Sequence, residues 1–260
     1  MTIDRPFSVR GKRVTVVGAA RSGVAAAELL VRRGATVTLT DVRDRLDDED
    51  RLRAAGVDLE LGGHHASTFT GVDLIVTSPG VPYRQPLIEA ARHAGIPVIG
   101  ELELASRWLR GKVVAITGTK GKSTTTTLTG RMLEAGGHRV LVGGNIGHAL
   151  SAQVDESTED TIHVIETSSF QLETADTFHP WIAVLLNFSP DHLDRHATVE
   201  EYGAAKTRIF AQQEGEDWAV LNADDSATLA MAAGGQARQS SPACCAKIRV
   251  FAAAYSSTVA

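Results

Sequence analysis

A glycine loop between an apolar run and a helical run constrains the fold of this chain more than any other feature. Residues 113–117 (VVAIT) form an apolar strand, and the glycines of the next residues lead into helical spacing from Ser123 to Ala135. At such a junction the backbone N–H groups and the positive end of the helix dipole point at one place, where they bind phosphate. The spacing is G-x-x-G-K-S, shorter than the usual G-x-x-x-x-G-K-S. The sequence therefore predicts an α/β fold with a phosphate-binding loop. The loop residues are Gly118, Thr119, Lys120, Gly121, Lys122, Ser123 and Thr124.

Strand and helix patterns alternate on both sides of this loop, which predicts parallel sheets with right-handed crossovers. Before the loop, we predict strands at 13–17, 35–40, 74–77 and 95–100, a helix at 24–33 and a helical linker at 101–110. After it, we predict strands at 139–143, 161–165, 182–186 and 218–221. A capping box at Thr198 and Glu201 predicts a helix that continues to about residue 213. We expect an N-terminal Rossmann-like domain at 1–100 and a P-loop ATPase-like α/β domain at 101–232.

Composition excludes several classes of protein. The net charge of −5 argues against a nucleic-acid binder, and no apolar run approaches the roughly 20 residues of a membrane helix. The N-terminus lacks the apolar core of a signal peptide. Cys244 and Cys245 are adjacent, so they predict neither a disulfide framework nor a metal cluster. We expect a cytoplasmic protein.

Another glycine loop lies earlier in the chain, at Gly18 to Gly23. It occupies the position of a dinucleotide fingerprint, but Ala20 replaces its middle glycine. The loop could bind a nicotinamide or flavin cofactor, form a purely structural turn or bind another nucleotide, and we favour the last. Asp41 and Arg43 follow the next strand and could exchange hydrogen bonds with a base, ribose or phosphate. The Ser78-Pro79-Gly80 turn follows a further strand, at the sheet end where α/β proteins bind ligands.

Chemically active side chains also follow the strands of the second series. Glu166 follows a strand and suits a magnesium ligand, because hard cations prefer oxygen. Asn187 closes the next strand, and the run 191–196 (DHLDRH) is either a site or a solvated turn. Lys206 lies on an apolar helix stripe, where it either extends its amine to solvent or holds a partly buried amine of lowered pKa.

Together these runs resemble the Mur ligase family. The resemblance rests on TGTKGKSTTT, GGNIG, ETSSFQLE, DHLDRH, AAK, LNADD and TSPGVP, and it covers about residues 10–230. It implies an ATP-dependent ligase of peptidoglycan synthesis that adds D-glutamate to UDP-N-acetylmuramoyl-L-alanine through an acyl phosphate. It also implies ATP and magnesium as cofactors and no nucleic-acid or membrane partner, and we expect a monomer.

The resemblance assigns roles to individual residues. It implies ATP binding by Gly118–Thr124, with Lys122 on the phosphates, and catalytic roles for Lys122, Glu166, His192 and Lys206. The implied magnesium ligands are Ser123, Glu166, His192 and a carbamylated Lys206. The implied substrate contacts are Arg21, Ser22, Asp41, Val42, Arg43, Ser78, Pro79, Gly80, Asn145, Ser168 and His192.

The composition changes after Asp225, beyond which there is no acidic residue. The resemblance fades by about Ala232, although family members continue into a third domain. We therefore expect residues 233–260 to be a divergent tail and the chain to be truncated or frame-shifted, with very weak or no turnover alone. A native flexible terminus is the other interpretation of the tail. Two alternative functions are an inactive nucleotide-binding remnant and a nicotinamide-dependent oxidoreductase, and the latter leaves the phosphate loop at Gly118–Thr124 unexplained.

Overall fold

This computed structural model describes residues 7–233 and 249–251, and these residues contain two parallel β-sheets. Unit 1 contains the described residues up to Arg110 together with Gly147–Thr158 and Glu173–Phe178. Unit 2 contains Gly111–Ile146, Glu159–Leu172 and the described residues from His179 onward. The α/β class with two parallel-sheet units is thereby confirmed.

The sheet of unit 1 has the order β3-β2-β1-β4-β5. Its strands are β1 (Arg13–Val17), β2 (Thr36–Asp41), β3 (Val57–Leu61), β4 (Leu74–Thr77) and β5 (Val98–Gly100). Its helices are α1 (Arg21–Arg32), α2 (Glu49–Ala54), α3 (Pro86–His93), α4 (Glu101–Ser106) and, from the later segment, α6 (Leu150–Gln153). The strands are rich in valine, leucine, isoleucine and threonine, and their buried side chains pack with α1 into a cluster that includes Val14, Val16, Leu30 and Leu39.

The sheet of unit 2 has the order β11-β10-β9-β6-β8-β7. Its strands are β6 (Lys112–Thr117), β7 (Arg139–Gly144), β8 (Thr161–Glu166), β9 (Ile182–Leu185), β10 (Trp218–Asn222) and β11 (Arg249–Phe251). Its helices are α5 (Lys122–Ala135), α7 (Ser169–Leu172), α8 (Val199–Thr207) and α9 (Ser226–Ala233). Val114, Ile116 and Val164 form the centre of its buried cluster. A Cβ on Gly130 of α5 would overlap Val142 of β7, so this glycine allows the helix to lie directly on the sheet.

The strands run parallel, so their carboxyl ends share one edge of each sheet. In unit 1 that edge carries Gly18 after β1, Asp41 at the end of β2 and Ser78 after β4. In unit 2 it carries the glycine loop after β6 and Glu166 at the end of β8. This topology positions both candidate sites.

The sequence patterns missed β3, α2, α3 and α6 of unit 1. Strand β3 has the alternating apolar pattern of Val57, Leu59 and Leu61, which we did not assign. Helix α2 was also missed, as was α3, in which Gln85 accepts the Ile88 N–H and proline occupies the first turn.

Several boundaries of elements and domains also differ from the prediction. Helix α8 is capped by Thr198 as predicted, but it ends at Thr207 and passes into a 3₁₀ turn at Arg208–Phe210. The strand expected at 95–100 is shorter, at Val98–Gly100. Residues 101–110, expected as a linker at the start of the second domain, lie in unit 1, where Leu102 and Leu104 are fully buried. Within the tail expected at 233–260, residues 249–251 pair with β10, and 234–248 and 252–260 lie outside the described residues.

Candidate functional site

The phosphate loop of unit 2 requires its glycines. Gly118 has φ of 152° and Gly121 has φ of 81°, backbone conformations that other residues rarely adopt. A Cβ at Gly118 would lie 3.1 Å from Cβ of Leu186, so the loop also lies close against the residues that follow β9. Helix α5 then begins at Lys122, whose Nζ donates to the carbonyl oxygens of Gly118 (3.1 Å) and Thr119 (2.9 Å). The strand–loop–helix junction thus has the local form expected of an anion site.

Glu166 is the carboxylate nearest this loop. It is 2% exposed, and its Oε2 accepts a hydrogen bond from the hydroxyl of Ser123 at 2.6 Å. The side-chain amide of Asn145 donates to Oε1 at 2.7 Å, and the Asn145 backbone N–H donates to the Glu166 carbonyl. A hydroxyl and a carboxylate beside a phosphate loop are the hard oxygen donors that magnesium prefers. These residues fit a magnesium ion, although residues 7–233 and 249–251 contain no cluster of three or more His, Cys, Asp or Glu side chains able to hold a metal.

Lys206 is buried, as one of the two sequence interpretations expected. Lys206 is a residue of α8 and is 1% exposed, and its Nζ donates to the Gly118 carbonyl at 2.8 Å. The ring of Tyr202 lies 4.6 Å from Nζ. Burial, together with the charge of Lys122, lowers the pKa of Lys206 to about 7, and Asp191 opposes both effects. The amine is therefore substantially neutral near neutral pH.

The two histidines of the DHLDRH run have different surroundings. His192 has a left-handed φ of 54° and packs its ring against Phe170 and Tyr202. His196 is 2% exposed, stacks on Phe170 and contacts the Ser169 hydroxyl through Nε2 at 2.9 Å. Burial lowers the pKa of His196, and the nearby positive charges of His192, Arg195 and Lys206 add to this effect. The run is thus partly built into unit 2 instead of forming only a solvated turn.

The predicted site residues of unit 2 fall into separate groups. Ser123, Asn145 and Glu166 are hydrogen-bonded to one another, whereas Lys122 and Lys206 share the Gly118 carbonyl. Ser168 bonds to Gln171 at the start of α7. Within the described part of the chain, no hydrogen bond links Glu166 to His192, Ser168 or Lys206.

The first glycine loop, in unit 1, is held by Asp41. The Ala19 N–H donates to Asp41 Oδ2 at 2.6 Å, and Arg43 donates from its backbone N–H and its guanidinium to the same carboxylate. Burial favours the neutral acid, but the hydrogen bonds from Arg43 and Ala19 outweigh it and hold the pKa of Asp41 at about 2. Asp41 therefore braces the loop, and this contact occupies the carboxylate that we expected to be available for a base or ribose.

Other predicted residues of unit 1 surround this loop. Ser78 is buried, and its backbone N–H donates to Val17. A Cβ on Gly18 would lie 2.7 Å from Val81, and one on Gly23 would overlap the Gly18 carbonyl oxygen. Arg21 donates to the Gly147 carbonyl at 2.6 Å, and Ser22 follows it in the first turn of α1. Val42 is 68% exposed, and Pro79 and Gly80 lie in the turn after β4.

Sequence reasoning missed the role of Asn187 and of Asp225. Asn187 was identified only as the end of a strand, but its side chain bonds the phosphate loop. Asp225, in the LNADD run, accepts the N–H groups of Phe188, Ala227 and Thr228, so it caps α9 and fixes the chain after β9. An asparagine directly after a strand beside the loop was the available signal for the first of these roles.

Comparisons with known proteins identify the family. The profile of the Mur ligase middle domain matches residues 116–250, and that of the MurD-like N-terminal domain of Mur ligases matches residues 12–100. The chain belongs to the Mur ligase family. The middle-domain match continues past Ala232, where we expected the resemblance to fade. No helix in the described residues of this Mur ligase is long and apolar enough to cross a membrane.

Two relatives illustrate the degree of similarity. The UDP-N-acetylmuramoylalanine–D-glutamate ligase of Acidobacterium capsulatum is 52% identical over 235 residues, which are 89% of this chain and 51% of that protein. The ligase of the same name from Anaeromyxobacter dehalogenans is 54% identical over 227 residues, 86% of this chain and 49% of that protein. The chain thus spans about half the length of the curated relatives it matches.

A solved structure supports the fold. UDP-N-acetylmuramate:L-alanyl-gamma-D-glutamyl-meso-diaminopimelate ligase from Neisseria meningitides superposes with a TM-score of 0.59 at 21% identity. The match covers 86% of this chain and 75% of that one. At this identity the likeness shows the shared α/β architecture alone.

Proposed function

We propose that this chain binds the substrates of an ATP-dependent ligase of peptidoglycan precursor synthesis, which adds D-glutamate to UDP-N-acetylmuramoyl-L-alanine. The observation that carries the proposal is the arrangement at the phosphate loop. Lys122 opens α5 there, and the Ser123 hydroxyl bonds the buried Glu166 carboxylate. The names of the two relatives support the choice of amino acid and nucleotide sugar.

In unit 1, the proposed ligand is the UDP part of the nucleotide sugar. The carboxyl-end loops around Gly18, Asp41 and Ser78 offer backbone groups, the exposed Val42 side chain and the Arg43 guanidinium. The engagement of Asp41 with Arg43 and Ala19 gives no support to a nicotinamide cofactor, whose ribose needs a free acidic acceptor. The other proposed contacts in unit 1 are Arg21, Ser22, Pro79 and Gly80.

In unit 2, the proposed ligands are magnesium-ATP and the reacting end of the nucleotide sugar. Lys122 would leave the Gly118 and Thr119 carbonyls to offset the charge of the phosphates, which otherwise repel an attacking carboxylate. Ser123 and Glu166 would hold one magnesium, and His192 and carbamylated Lys206 a second; bound magnesium screens the charge of the phosphate oxygens. Asn145 and Ser168 are the remaining proposed substrate contacts.

The reaction follows from these charges. The alanine carboxylate attacks the γ-phosphorus of ATP, ADP leaves, and the resulting acyl phosphate loses phosphate when the amine of D-glutamate attacks its carbonyl carbon. Lys206 supports this assignment because only a neutral amine attacks carbon dioxide. Its nitrogen would form the new N–C bond and release a proton to solvent, which leaves a carbamate. We place this chemistry in the cytoplasm.

The test is isothermal titration of the 260-residue chain with UDP-N-acetylmuramoyl-L-alanine and with magnesium-ATP, followed by phosphate release with D-glutamate. We expect both ligands to bind and D-glutamate-dependent phosphate release by this chain alone to be very weak or absent. Lys122→Ala should weaken ATP about 100-fold and leave the nucleotide sugar unaffected, while Arg43→Ala should do the reverse by about 10-fold. Failure of the wild-type chain to bind either nucleotide would sink the proposal.

A further inference from the structure

One side chain outside the phosphate loop takes up hydrogen-bonding groups of the loop itself. Asn187 lies two residues after the end of β9, and its Oδ1 accepts the backbone N–H groups of Thr119 (3.0 Å) and Lys120 (2.9 Å). Its Nδ2 donates to the Lys120 carbonyl at 2.9 Å. The Asn187 carbonyl also accepts the Thr119 N–H at 3.1 Å. Asn187 therefore bonds both polar backbone groups of Lys120.

The neighbouring residues extend the same contact. The Thr119 hydroxyl donates to the Ser189 carbonyl and accepts the Ser189 N–H, each at 3.1 Å. Gly118 is so close to this segment that a Cβ on it would lie 3.4 Å from the Asn187 nitrogen. Residues 118–120 of the loop are thus held by contacts with residues 187–189. These contacts, from outside the loop, fix its conformation.

A backbone N–H that donates to Asn187 is not available to a phosphate, because each residue has a single such donor. After Lys120, the loop donors are the N–H groups of residues 121–124, at the start of α5, where a helix has no acceptors of its own. We infer that Asn187 is a positioning residue that holds the N–H groups of Thr119 and Lys120 and leaves the phosphates of ATP to residues 121–124. This inference rests on the proposed ATP site in unit 2.

The amide is suited to this task because it both accepts and donates. A carboxylate at this position would still accept the two N–H groups, but it would place an oxygen against the Lys120 carbonyl and a negative charge beside the phosphates. An aliphatic side chain of the same size would leave the N–H and carbonyl of Lys120 without a protein partner. The two substitutions therefore separate the hydrogen bonds from the charge.

The experiment compares Asn187→Leu, Asn187→Asp and a control, Gln213→Met, in the 260-residue chain. Gln213 is a matched control because its amide also ties backbone groups together, donating to the carbonyls of Pro180 and Trp218 at the amino ends of β9 and β10, away from Asn187. The first readout is hydrogen exchange of the Lys120 N–H without ligand, since the Thr119 N–H keeps a second acceptor. The second is isothermal titration with magnesium-ATP and with tripolyphosphate, with UDP as a reference ligand for unit 1.

We expect Asn187→Leu to speed Lys120 exchange at least about 10-fold and to weaken ATP and tripolyphosphate about 30-fold. Asn187→Asp should keep slow exchange but weaken both ligands at least about 10-fold. Gln213→Met should lower the midpoint of thermal unfolding while changing both affinities less than about 2-fold, and UDP binding should be unchanged in all variants.

Two results would overturn the inference. One is a Lys120 N–H that exchanges as fast in the wild type as in Asn187→Leu, and the other is accelerated exchange without weaker phosphate binding. A wild-type chain that binds neither ATP nor tripolyphosphate would remove the proposed site and the inference with it. Slow Lys120 exchange in that same chain would show that the site had failed and the hydrogen bonds of Asn187 had not.

Discussion

The two glycine loops of this chain are built alike but braced by opposite chemistry. Each follows a buried strand, opens a helix and is tied to a side chain at the end of a neighbouring strand. In unit 1 that side chain is the carboxylate of Asp41, and in unit 2 it is the neutral amide of Asn187. The brace therefore distinguishes two loops that glycine spacing alone describes in the same terms.

The charges near each brace explain the difference. Arg43 balances Asp41 in the first loop, so the brace adds no net charge for a ligand to meet. In the second loop, Lys122 and Lys206 both donate to the Gly118 carbonyl. The charge of Lys122 suits a polyphosphate, and a negatively charged brace beside it would oppose that ligand. The neutral amide of Asn187 therefore holds the second loop without adding negative charge beside the proposed phosphates.

The largest expected effect concerns the glycines themselves. Gly23→Ala should destabilise the chain by about 3 kcal/mol, because its Cβ would overlap the backbone of Gly18 at the start of α1. Gly118→Ala should cost less, since its Cβ would meet the Leu186 side chain at 3.1 Å, although its φ of 152° is also strained. Urea unfolding of the two variants measures the difference. The control is Gly80→Ala, where a Cβ meets nothing within 4 Å. Equal costs at Gly23 and Gly80 would contradict the packing of the first loop.

The next effect concerns the Glu166 carboxylate, which, unlike that of Asp41, has no charged hydrogen-bond donor among its partners in the described residues. Glu166 accepts hydrogen bonds from the neutral side chains of Ser123 and Asn145, so its charge remains available to a cation. Glu166→Gln should weaken ATP binding about 30-fold in magnesium and less than about 3-fold in EDTA. Titrations in the two buffers measure this. A loss of equal size in both buffers would mean that Glu166 supports the loop without holding a metal.

The sequence predicted most of unit 2 because its signals are local. The strand before Gly118, the helix after it and the cap at Thr198 are each set by residues close in the chain. The burial of Lys206 was one of two interpretations, because the apolar stripe of α8 shows that the lysine lies on a packed face but not whether its amine reaches water. The structure decides this through the Gly118 carbonyl, 88 residues away in sequence.

The parts that sequence could not predict depend on pairing between distant residues. Asp41 looked like a ligand acceptor because its position at a strand end is visible, whereas its bonds to Ala19 and Arg43 are not. The amide of Asn187 contacts residues 67 and 68 positions earlier in the chain, and no periodic pattern encodes that distance. The assignment of Gly147–Thr158 and Glu173–Phe178 to unit 1 is a further case.

A smaller effect tests whether Asp41 is a structural brace. Asp41→Asn should destabilise the chain by about 1.5 kcal/mol at pH 7, since it removes an ion pair that is half exposed on the Arg43 side. The pKa of Asp41 is about 2 in the folded chain, below its usual value near 4, so the stabilisation is complete above pH 4. It should fade as the pH falls from 4 towards 2, which urea unfolding at several pH values would show.

The control for this prediction is Asp155→Asn. Asp155 pairs with Arg32 and Arg33 where all three side chains are substantially exposed, so its removal should cost less than about 0.5 kcal/mol. A larger loss at Asp155 than at Asp41, or a loss at Asp41 that is the same at pH 3 and pH 7, would show that the carboxylate does not brace the first loop.

The smallest expected effect has the opposite sign and belongs to the second loop. Lys206→Met should stabilise the chain by about 1 kcal/mol at pH 6, because the methionine fills the same space without a buried charge, while the lost bond to Gly118 offsets part of the gain.

The pKa of Lys206 is lowered to about 7 in the folded chain and is near 10.5 when unfolded, so the unfolded chain holds the extra proton between these values. Wild-type stability should therefore rise from pH 7 towards pH 10, and the advantage of the variant should disappear. Urea unfolding in buffers free of carbon dioxide measures the stability of wild type and variant at each pH, with Lys12→Met at an exposed position as the control of little effect at any pH. A constant advantage from pH 6 to pH 10 would mean that Lys206 does not lose its proton in this range. The second loop would then hold two cations, Lys122 and Lys206, beside the neutral amide of Asn187, and its contrast with the charge-balanced first loop would be sharper.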